Sequence, residues 1–165
     1  MPPISAGLFW GGCEFDGRRA MSLALKERIF DFYKAFSDAR VEELSEIFDD
    51  DIDFVSNAPI EVFPYLGRRV GKNEVLKALS EVHREFGDIE FFPLKINIED
   101  ESAGLIVSIR LTQRSSGRLI RVFAAHFIQF RENRIIEYRA FLDTFEAVQQ
   151  VLGREFDVGS AEPQP

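Results

Sequence analysis

The spacing of the hydrophobic residues changes once along this chain, and that change limits the folds open to it. Apolar residues first recur at helical spacing and later, from residue 89 onward, alternate with polar ones as in strands. The predicted helices are 25–36, 41–48, 75–86 and 144–152. The predicted strands are 52–56, 89–99, 104–114, 118–131 and 134–143. Helices followed by a long antiparallel meander predict an α+β fold with the helices on one face of the sheet.

Turns and alternation within the meander decide which side chains share a face. The first long strand is predicted to place Phe92 and Leu94 on its apolar face. Gly87 is predicted to end the helix before it. Residues 115–117 and 132–133 are typical of hairpin turns. A two-residue turn at 132–133 would fix the pairing of the last two strands.

Residues 22–153 are predicted to form one domain. Residues 1–21 carry four glycines and two prolines without periodicity and are expected to be a flexible extension, and 154–165 a disordered tail. Whether Met1 or Met21 is the natural start stays open. Because 1–21 lack the basic segment and the apolar stretch of a signal peptide, we expect a cytoplasmic protein.

Composition excludes several classes of function. One cysteine and two histidines are too few for a disulfide framework or a multi-residue zinc site, so no metal is expected. A formal net charge of −8 without a basic tail argues against nucleic-acid binding. No apolar run approaches the ~18 residues of a membrane-spanning helix, so no membrane partner is expected.

Three stretches carry a resemblance to a known family. They are FYKAFSDARVEELSEIFDDDIDF (32–54), FPYLGRRVGKNEVLKAL (63–79) and AHFIQFRENRIIEYRAFLDT (125–144). In this order they resemble the SnoaL-like branch of the nuclear-transport-factor-2-like superfamily, which also contains ketosteroid isomerase and polyketide cyclases. The resemblance implies a cone, in which a strongly bent antiparallel sheet wraps around three N-terminal helices. It also implies one deep apolar pocket, a homodimer and no cofactor.

Phenylalanine is unusually frequent, with 17 residues against three tyrosines and one tryptophan. In a cone, rings from helices and strands would fill the narrow end and supply apolar walls for the pocket. The phenylalanines expected to face one another inside are Phe32, Phe36, Phe48, Phe54, Phe92, Phe123, Phe127, Phe130 and Phe141.

The mechanism of ketosteroid isomerase does not fit these residues. That enzyme uses an aspartate base and an oxyanion hole made of a tyrosine and a protonated aspartic acid. The resemblance places these three at Ser56, Phe32 and His126. Phenylalanine donates no hydrogen bond, and a serine without an activating partner is no base near neutral pH, so this mechanism is disfavoured. A one-residue slip would bring Tyr33 or Asn57 into these positions.

A different polar set is expected at the end of the pocket. A two-residue hairpin turn places His126 opposite Arg139. Alternation then adds Phe141 and Asp143 to that face, whereas an odd-length turn would bring Tyr138 there instead. As catalytic residues, His126 would carry the proton, Asp143 would orient it or act as a second base, and Arg139 would hold an anion. Such a catalyst would titrate near pH ~6–7 through His126.

Each of these residues also has a structural interpretation, and the sequence leaves the choice open. Asp143 is placed to begin a capping box for the last helix. Arg139 can pair with Glu137 on an exposed strand, and His126 can be a hydrogen-bonded core residue. Tyr65 either reaches over the pocket mouth or packs in a turn. The residues expected to contact a substrate are Phe32, Ser56, Tyr65, Tyr138 and Phe141.

Charge is unevenly distributed along the chain. Residues 42–61 carry eight acidic residues and no basic one, whereas 104–139 carry seven arginines and two glutamates. The arginines predict cross-strand ion pairs or a dimer surface, or else an electropositive pocket rim that selects acidic ligands. The expected partner is therefore a small apolar or weakly acidic molecule.

The sequence leaves open whether the protein is an enzyme. As one, it would be a cofactor-independent isomerase, cyclase, dehydratase or hydrolase acting on an apolar, oxygenated substrate. The alternative is a non-catalytic ligand-binding or dimerisation module.

Overall fold

A computed structural model describes residues 13–155 of the chain. Its helices are α1 (Cys13–Ser37), α2 (Val41–Ile47), α3 (Lys72–Glu85) and α4 (Thr144–Leu152). Its strands are β1 (Phe48–Ser56), β2 (Arg68–Val70), β3 (Phe86–Glu99), β4 (Ser102–Gln113), β5 (Arg118–Arg131) and β6 (Arg134–Leu142). The order of helices and strands matches the prediction, with β2 as an additional short strand.

All six strands belong to one curved sheet with the order β2-β1-β6-β5-β4-β3. β1 and β6 pair in parallel and the other neighbours are antiparallel, so the sheet is mixed. Alternate residues of β5 are buried and define the inner face of the sheet. The helices cover that face, because α1 packs against β3, α3 against β1, and α4 against β5. The predicted α+β cone is confirmed.

Two bulges change the faces that simple alternation predicts. The register of β3 on β4 shifts between Pro93 and Lys95. Phe92 and Leu94 therefore point outward and are exposed, so the predicted apolar face of this strand is wrong at both positions. The register of β5 on β6 shifts in the same way and leaves Ile136 as an extra residue in β6. A bulge adds one residue to one strand, and all residues beyond it change face.

The predicted hairpin turn at 132–133 is nevertheless present. Arg131 pairs with Arg134, and the two residues between them have φ of 50° and 61°. Positive φ at both central residues is the geometry of a type I′ turn, which asparagine tolerates well. The error in the predicted register therefore lies in the bulge and not in the turn.

The helix boundaries differ from the prediction at two places. α1 already begins at Cys13, so 13–21 are helical where a flexible extension was expected, and 1–12 lie outside the described residues. α3 follows Gly71, whose φ of 86° favours glycine, and continues into β3 at Phe86 without a break. Gly87 lies inside β3 and is not the predicted helix stop.

The phenylalanines divide between the two faces of the sheet. Phe32, Phe48, Phe54 and Phe130 are buried inside as expected. The phenylalanines that lie exposed on the outer face, against the prediction, are Phe92, Phe123, Phe127 and Phe141. On β5 the reason is parity, because the buried positions are even-numbered and Phe123 and Phe127 fall between them.

Most of the tail predicted at 154–165 lies outside the described residues; Arg154 and Glu155 alone are described there, without regular structure. No helix within 13–155 is long and apolar enough to cross a membrane.

Candidate ligand-binding site

A cavity of about 140 Å³ lies between the inner face of the sheet and the helices. Its walls are mainly apolar and include Phe32, Phe36, Phe54, Phe63, Phe86 and Phe91. The polar side chains among the described lining residues are Ser56, Tyr65, His126 and Tyr138, and none of the described lining residues is an acid, an arginine or a lysine. An apolar cavity of roughly 150 Å³ binds benzene, so this one accommodates a molecule with about one ring.

Two tyrosine hydroxyls converge on the same nitrogen of His126. The Tyr33 hydroxyl lies 2.7 Å from Nδ1, and the Tyr138 hydroxyl lies 2.8 Å from it. His126 is 2 % exposed and both tyrosines are buried. We call these three residues the His126 cluster. It joins α1 to the two central strands β5 and β6.

Burial keeps the His126 cluster uncharged at neutral pH. Removal from water disfavours the charged form of every titratable group. It lowers the pKa of His126 to about 3. It raises the pKa of Tyr33 and of Tyr138 well above the usual tyrosine value, and the nearby Tyr33 raises that of Tyr138 further. The predicted titration of His126 near pH 6–7 therefore does not match the buried ring.

Aromatic packing fixes the positions of the two tyrosines. The Tyr33 ring stacks on Phe91 with 4.6 Å between ring centroids. The Tyr138 ring stacks on Phe54 at 5.1 Å and meets Phe32 edge to face at 5.3 Å. Rings held on several sides keep their hydroxyls in place, so both hydroxyls are fixed beside His126.

Ser56 and Tyr65 line the cavity, as expected of residues predicted to contact a ligand. Ser56 ends β1, and its Oγ accepts a hydrogen bond from the backbone N–H of Ala58 at 3.3 Å. The Tyr65 hydroxyl donates to the carboxylate of Glu85, the last residue of α3. Burial and the neighbouring Glu85 raise the pKa of Tyr65, so this tyrosine also stays neutral.

Arg139 lies on the outer face of the sheet, opposite to the prediction. It pairs across β5 with Phe127, whereas His126 pairs with Ala140. Its guanidinium contacts the Asp53 carboxylate at 2.8 Å and donates to the Asp53 carbonyl at 3.0 Å. The bulge in β6 is the cause. It also places Tyr138 on the inner face, which the sequence predicts only for an odd-length turn.

Phe141 and Asp143 also lie away from the described lining of the cavity. Phe141 is 48 % exposed, and its ring meets Phe127 at 6.1 Å on the outer face. Asp143 is the N-cap of α4, and its Oδ1 accepts from the backbone N–H of Glu146 at 3.1 Å. The capping interpretation of Asp143 is therefore the one that the contacts support, and the shared face with His126 is wrong.

The polar residues predicted from the sequence to surround His126 do not include Tyr33. The signal for it is the comparison with ketosteroid isomerase, in which a shift of the alignment by one residue places Tyr33 at the position of that enzyme's tyrosine. The same shift pointed to Asn57, which is exposed. Its Oδ1 accepts a hydrogen bond from the backbone N–H of Leu142 at 2.8 Å. Phe32 faces the cavity beside Tyr138.

No arginine is among the described residues that line the cavity. Arg110 pairs with Glu90, Arg131 with Asp49 at 2.9 Å, and Arg139 with Asp53. The expectation of a pocket that selects acidic ligands is therefore not supported by its lining. Within 13–155, no group of three or more histidine, cysteine, aspartate and glutamate side chains is arranged to hold a metal ion.

A curved α+β cone with one apolar internal cavity defines the nuclear-transport-factor-2-like class of folds. Within that class, the SnoaL-like domain family matches residues 29–138. The chain belongs to the SnoaL-like domain family. No curated protein matches the chain.

Solved structures agree with this assignment. A protein from Rhodopseudomonas palustris that carries the provisional name isomerase is 34% identical, with a TM-score of 0.72 over 77% of this chain and 97% of its own. IdmH from Streptomyces antibioticus, provisionally named a polyketide cyclase, is 18% identical, with a TM-score of 0.65 over 78% of this chain and 98% of its own. An LEH-like epoxide hydrolase from M. tuberculosis is 12% identical, with a TM-score of 0.66 over 79% and 91%. The last two share the fold alone.

Proposed function

We propose that this protein binds a small, uncharged and mainly apolar molecule in the cavity, with an oxygen atom of the ligand at the His126 cluster. The observation that carries the proposal is that His126 and Tyr138, two of the few polar residues lining a mainly apolar cavity, meet at Nδ1 of His126, which the Tyr33 hydroxyl also reaches. Polar groups are costly to bury without a partner, and a few convergent polar groups in an apolar pocket are the usual mark of a ligand site.

The absence of a charged side chain among the described lining residues favours a neutral ligand. An ionised ligand would lose its hydration in the cavity without gaining an opposite charge. Arg139, on the outer face, does not supply this opposite charge, because it is already bonded to Asp53. A weakly acidic ligand would therefore bind in its protonated form.

Calorimetric titration with three matched probes tests the proposal: cyclohexanone, cyclohexane and cyclohexanecarboxylate. The account predicts that the ketone binds more tightly than the hydrocarbon, and that the carboxylate does not bind at pH 7. The variant Tyr138→Phe should lose the preference for the ketone, whereas Arg139→Gln, outside the cavity, should keep it. Equal affinity for ketone and hydrocarbon in the wild type would refute the proposal.

Catalysis is the second candidate function, and the relative that carries the provisional name isomerase favours it. The Tyr138 hydroxyl would donate to the carbonyl oxygen of the ligand and so favour its enol form, with solvent taking the proton from the neighbouring carbon. In D₂O, cyclohexanone should then exchange its C2 protons faster with the protein than in buffer, and Tyr138→Phe should abolish the difference. Bound ketone without faster exchange would identify a non-catalytic binding protein.

A homodimer through the outer face of the sheet is also proposed. Phe92 and Phe123 lie in one row across β3, β4 and β5, with Ser108 between them, and Phe127 and Phe141 are in contact beside this row. An exposed aromatic patch of this kind typically covers a partner surface. Charges beside the patch are neutralised in pairs such as Arg139 with Asp53, so two copies could meet there without repulsion.

A further inference from the structure

The two tyrosine hydroxyls of the His126 cluster compete for one position. A neutral imidazole nitrogen offers a single in-plane site, which is either a lone pair or an N–H group. The hydroxyls of Tyr33 and Tyr138 lie 2.7 Å and 2.8 Å from the same Nδ1 atom. Whichever form the ring takes, Nδ1 accepts at most one of the two hydroxyl protons in good geometry. At least one hydroxyl proton therefore needs another acceptor.

Access to the cavity distinguishes the two hydroxyls. Tyr138 lines the cavity, whereas Tyr33 is not among its lining residues. Tyr33 is 4 % exposed and stacks on Phe91, and Nδ1 is the hydrogen-bond partner that the structure gives to its hydroxyl. Because a buried donor without an acceptor is unfavourable, the proton of Tyr33 belongs on Nδ1. Of the two tyrosines, Tyr138 is the one that borders the cavity, so its hydroxyl proton is the one left for a ligand.

We infer that Tyr33 is a positioning residue that acts through His126. By donating to Nδ1 it holds His126 in the form protonated on Nε2, and it leaves the hydroxyl proton of Tyr138 free to bind the ligand. This inference rests on the proposed function for its ligand, but the state of the ring is a property of the protein alone.

The free proton specifies the chemistry of the ligand oxygen. A donor in the cavity pairs with an acceptor, and a carbonyl oxygen is an acceptor that brings no proton of its own. An alcohol would bring a further proton into a cavity whose walls are mainly phenylalanine and aliphatic side chains. The site is therefore built for a neutral carbonyl compound, such as a ketone or an aldehyde, and disfavours the corresponding alcohol.

Nitrogen NMR of the ligand-free protein tests the state of the ring. With ¹⁵N-labelled histidine at pH 7, the account predicts an unprotonated Nδ1 and a protonated Nε2 for His126. In Tyr33→Phe the hydroxyl of Tyr138 should take over Nδ1, so the ring should keep the same form. A ring protonated on Nδ1 in the wild type would overturn the inference. Because no ligand is present, this result does not depend on the proposed function.

A double-mutant cycle with cyclohexanone tests the coupling. Tyr138→Phe should weaken binding about 3- to 10-fold, as for the loss of one hydrogen bond. Tyr33→Phe should weaken it by a similar factor although Tyr33 is outside the cavity, because Tyr138 then turns its proton to Nδ1. The double variant should be no weaker than Tyr138→Phe alone.

Two controls separate positioning from damage to the fold. Cyclohexane should bind all four proteins equally, because tyrosine and phenylalanine present the same ring. Cyclohexanol should bind the wild type more weakly than cyclohexanone. Independent, multiplicative losses in the two single variants, or unchanged ketone binding in Tyr33→Phe, would overturn the inference. Failure of the wild type to bind cyclohexanone would instead refute the proposed function, and a ring protonated on Nδ1 would still overturn the inference by itself.

Discussion

His126 shows how burial determines the chemistry open to a single residue. In an exposed position its ring would gain and lose a proton near neutral pH. In the cone its pKa falls to about 3, because the charged form would lose its hydration without gaining an opposite charge. Its two hydroxyl partners are neutral as well. The cluster is therefore suited to hydrogen bonding with a neutral ligand, and binding should depend little on pH between 6 and 8.

The pKa of His126 makes a prediction about stability. Since the folded value lies below the unfolded value of about 6.5, the unfolded chain binds the proton first as the pH falls. The free energy of unfolding should therefore decrease between about pH 6.5 and pH 3, by up to about 1.4 kcal/mol per pH unit for this group. Urea titrations between pH 7 and about 5.5 measure it, above the range in which most carboxylates titrate.

His126→Gln should remove most of this slope. His83 provides the matched control, because burial also lowers its pKa, while its Nε2 lies 2.6 Å from the carbonyl of Phe36. That hydrogen bond partly opposes the shift, so His83→Gln should remove a smaller share. An unchanged slope in His126→Gln would contradict the assigned cause.

Arg139 is predicted to contribute to stability and not to the ligand site. Its ion pair with Asp53 is partly exposed, and such pairs contribute about 0.5–1 kcal/mol. Arg68 and Arg139 together lower the pKa of Asp53, so the contribution is present at neutral pH and is lost on acidification. Arg139→Gln should lower the free energy of unfolding by about this amount and leave ketone affinity unchanged. A large loss of ketone affinity in Arg139→Gln would instead show that Arg139 contributes to the ligand site.

At the scale of elements, periodicity predicted the order of helices and strands but not their irregularities. The change from helical to alternating spacing marks where the sheet begins, and the turn at 132–133 lies as predicted. The bulges at Leu94 and Ile136 leave no such mark, because one extra apolar residue fits either face of a short pattern. The parallel pairing of β1 with β6 joins residues far apart in the chain, and no local signal predicts it.

The bulge at Ile136 affects the prediction of the site more than the prediction of the fold. His126 was expected at the polar end of the pocket, but its partners were assigned by a register that the bulge at Ile136 changes by one residue. Tyr138 therefore replaces Arg139 beside the ring. Tyr33 lies on helix α1, whereas His126 and Tyr138 lie on strands. The packing of α1 on the sheet sets its distance to His126, and the spacing of residues in the sequence does not predict that packing.

The start of α4 gives a prediction at the same scale. Asp143 accepts a hydrogen bond from Glu146 and so satisfies one of the free N–H groups of the first turn. Asp143→Ala should lower the free energy of unfolding by about 1 kcal/mol, and Asp143→Ser should restore most of the loss. Chemical denaturation measures both variants. Equal losses for alanine and serine would show that the cap is not the cause.

For the whole molecule, the aromatic patch on the outer face predicts a dimer of 18.9 kDa chains. Phe127→Lys places a charge in the patch and should convert the dimer to a monomer at micromolar concentration. Leu23→Lys is the matched control, because Leu23 is similarly exposed but lies on α1. Sedimentation velocity measures the mass. A wild-type monomer, or an intact dimer of Phe127→Lys, would contradict the proposed interface.

The two surfaces of the sheet thus carry different proposals within one architecture. The inner face, with the His126 cluster and apolar walls, forms the cavity, whereas the outer face, with Phe127 and Phe141, is available to a second copy. Substitutions outside should change the oligomeric state without abolishing ligand binding. Substitutions in the cluster should weaken ketone binding and leave the oligomeric state unchanged.

The infrared carbonyl stretch of bound, ¹³C-labelled cyclohexanone reports whether the ligand oxygen lies at the His126 cluster. A hydrogen bond to the carbonyl oxygen weakens the C=O bond, so its frequency reports the donor at the His126 cluster. We expect a lower frequency in the wild type than in an apolar solvent, and a return toward the solvent value in Tyr138→Phe. A bound ketone with the solvent frequency in both proteins would contradict the assignment of the ligand oxygen to this cluster.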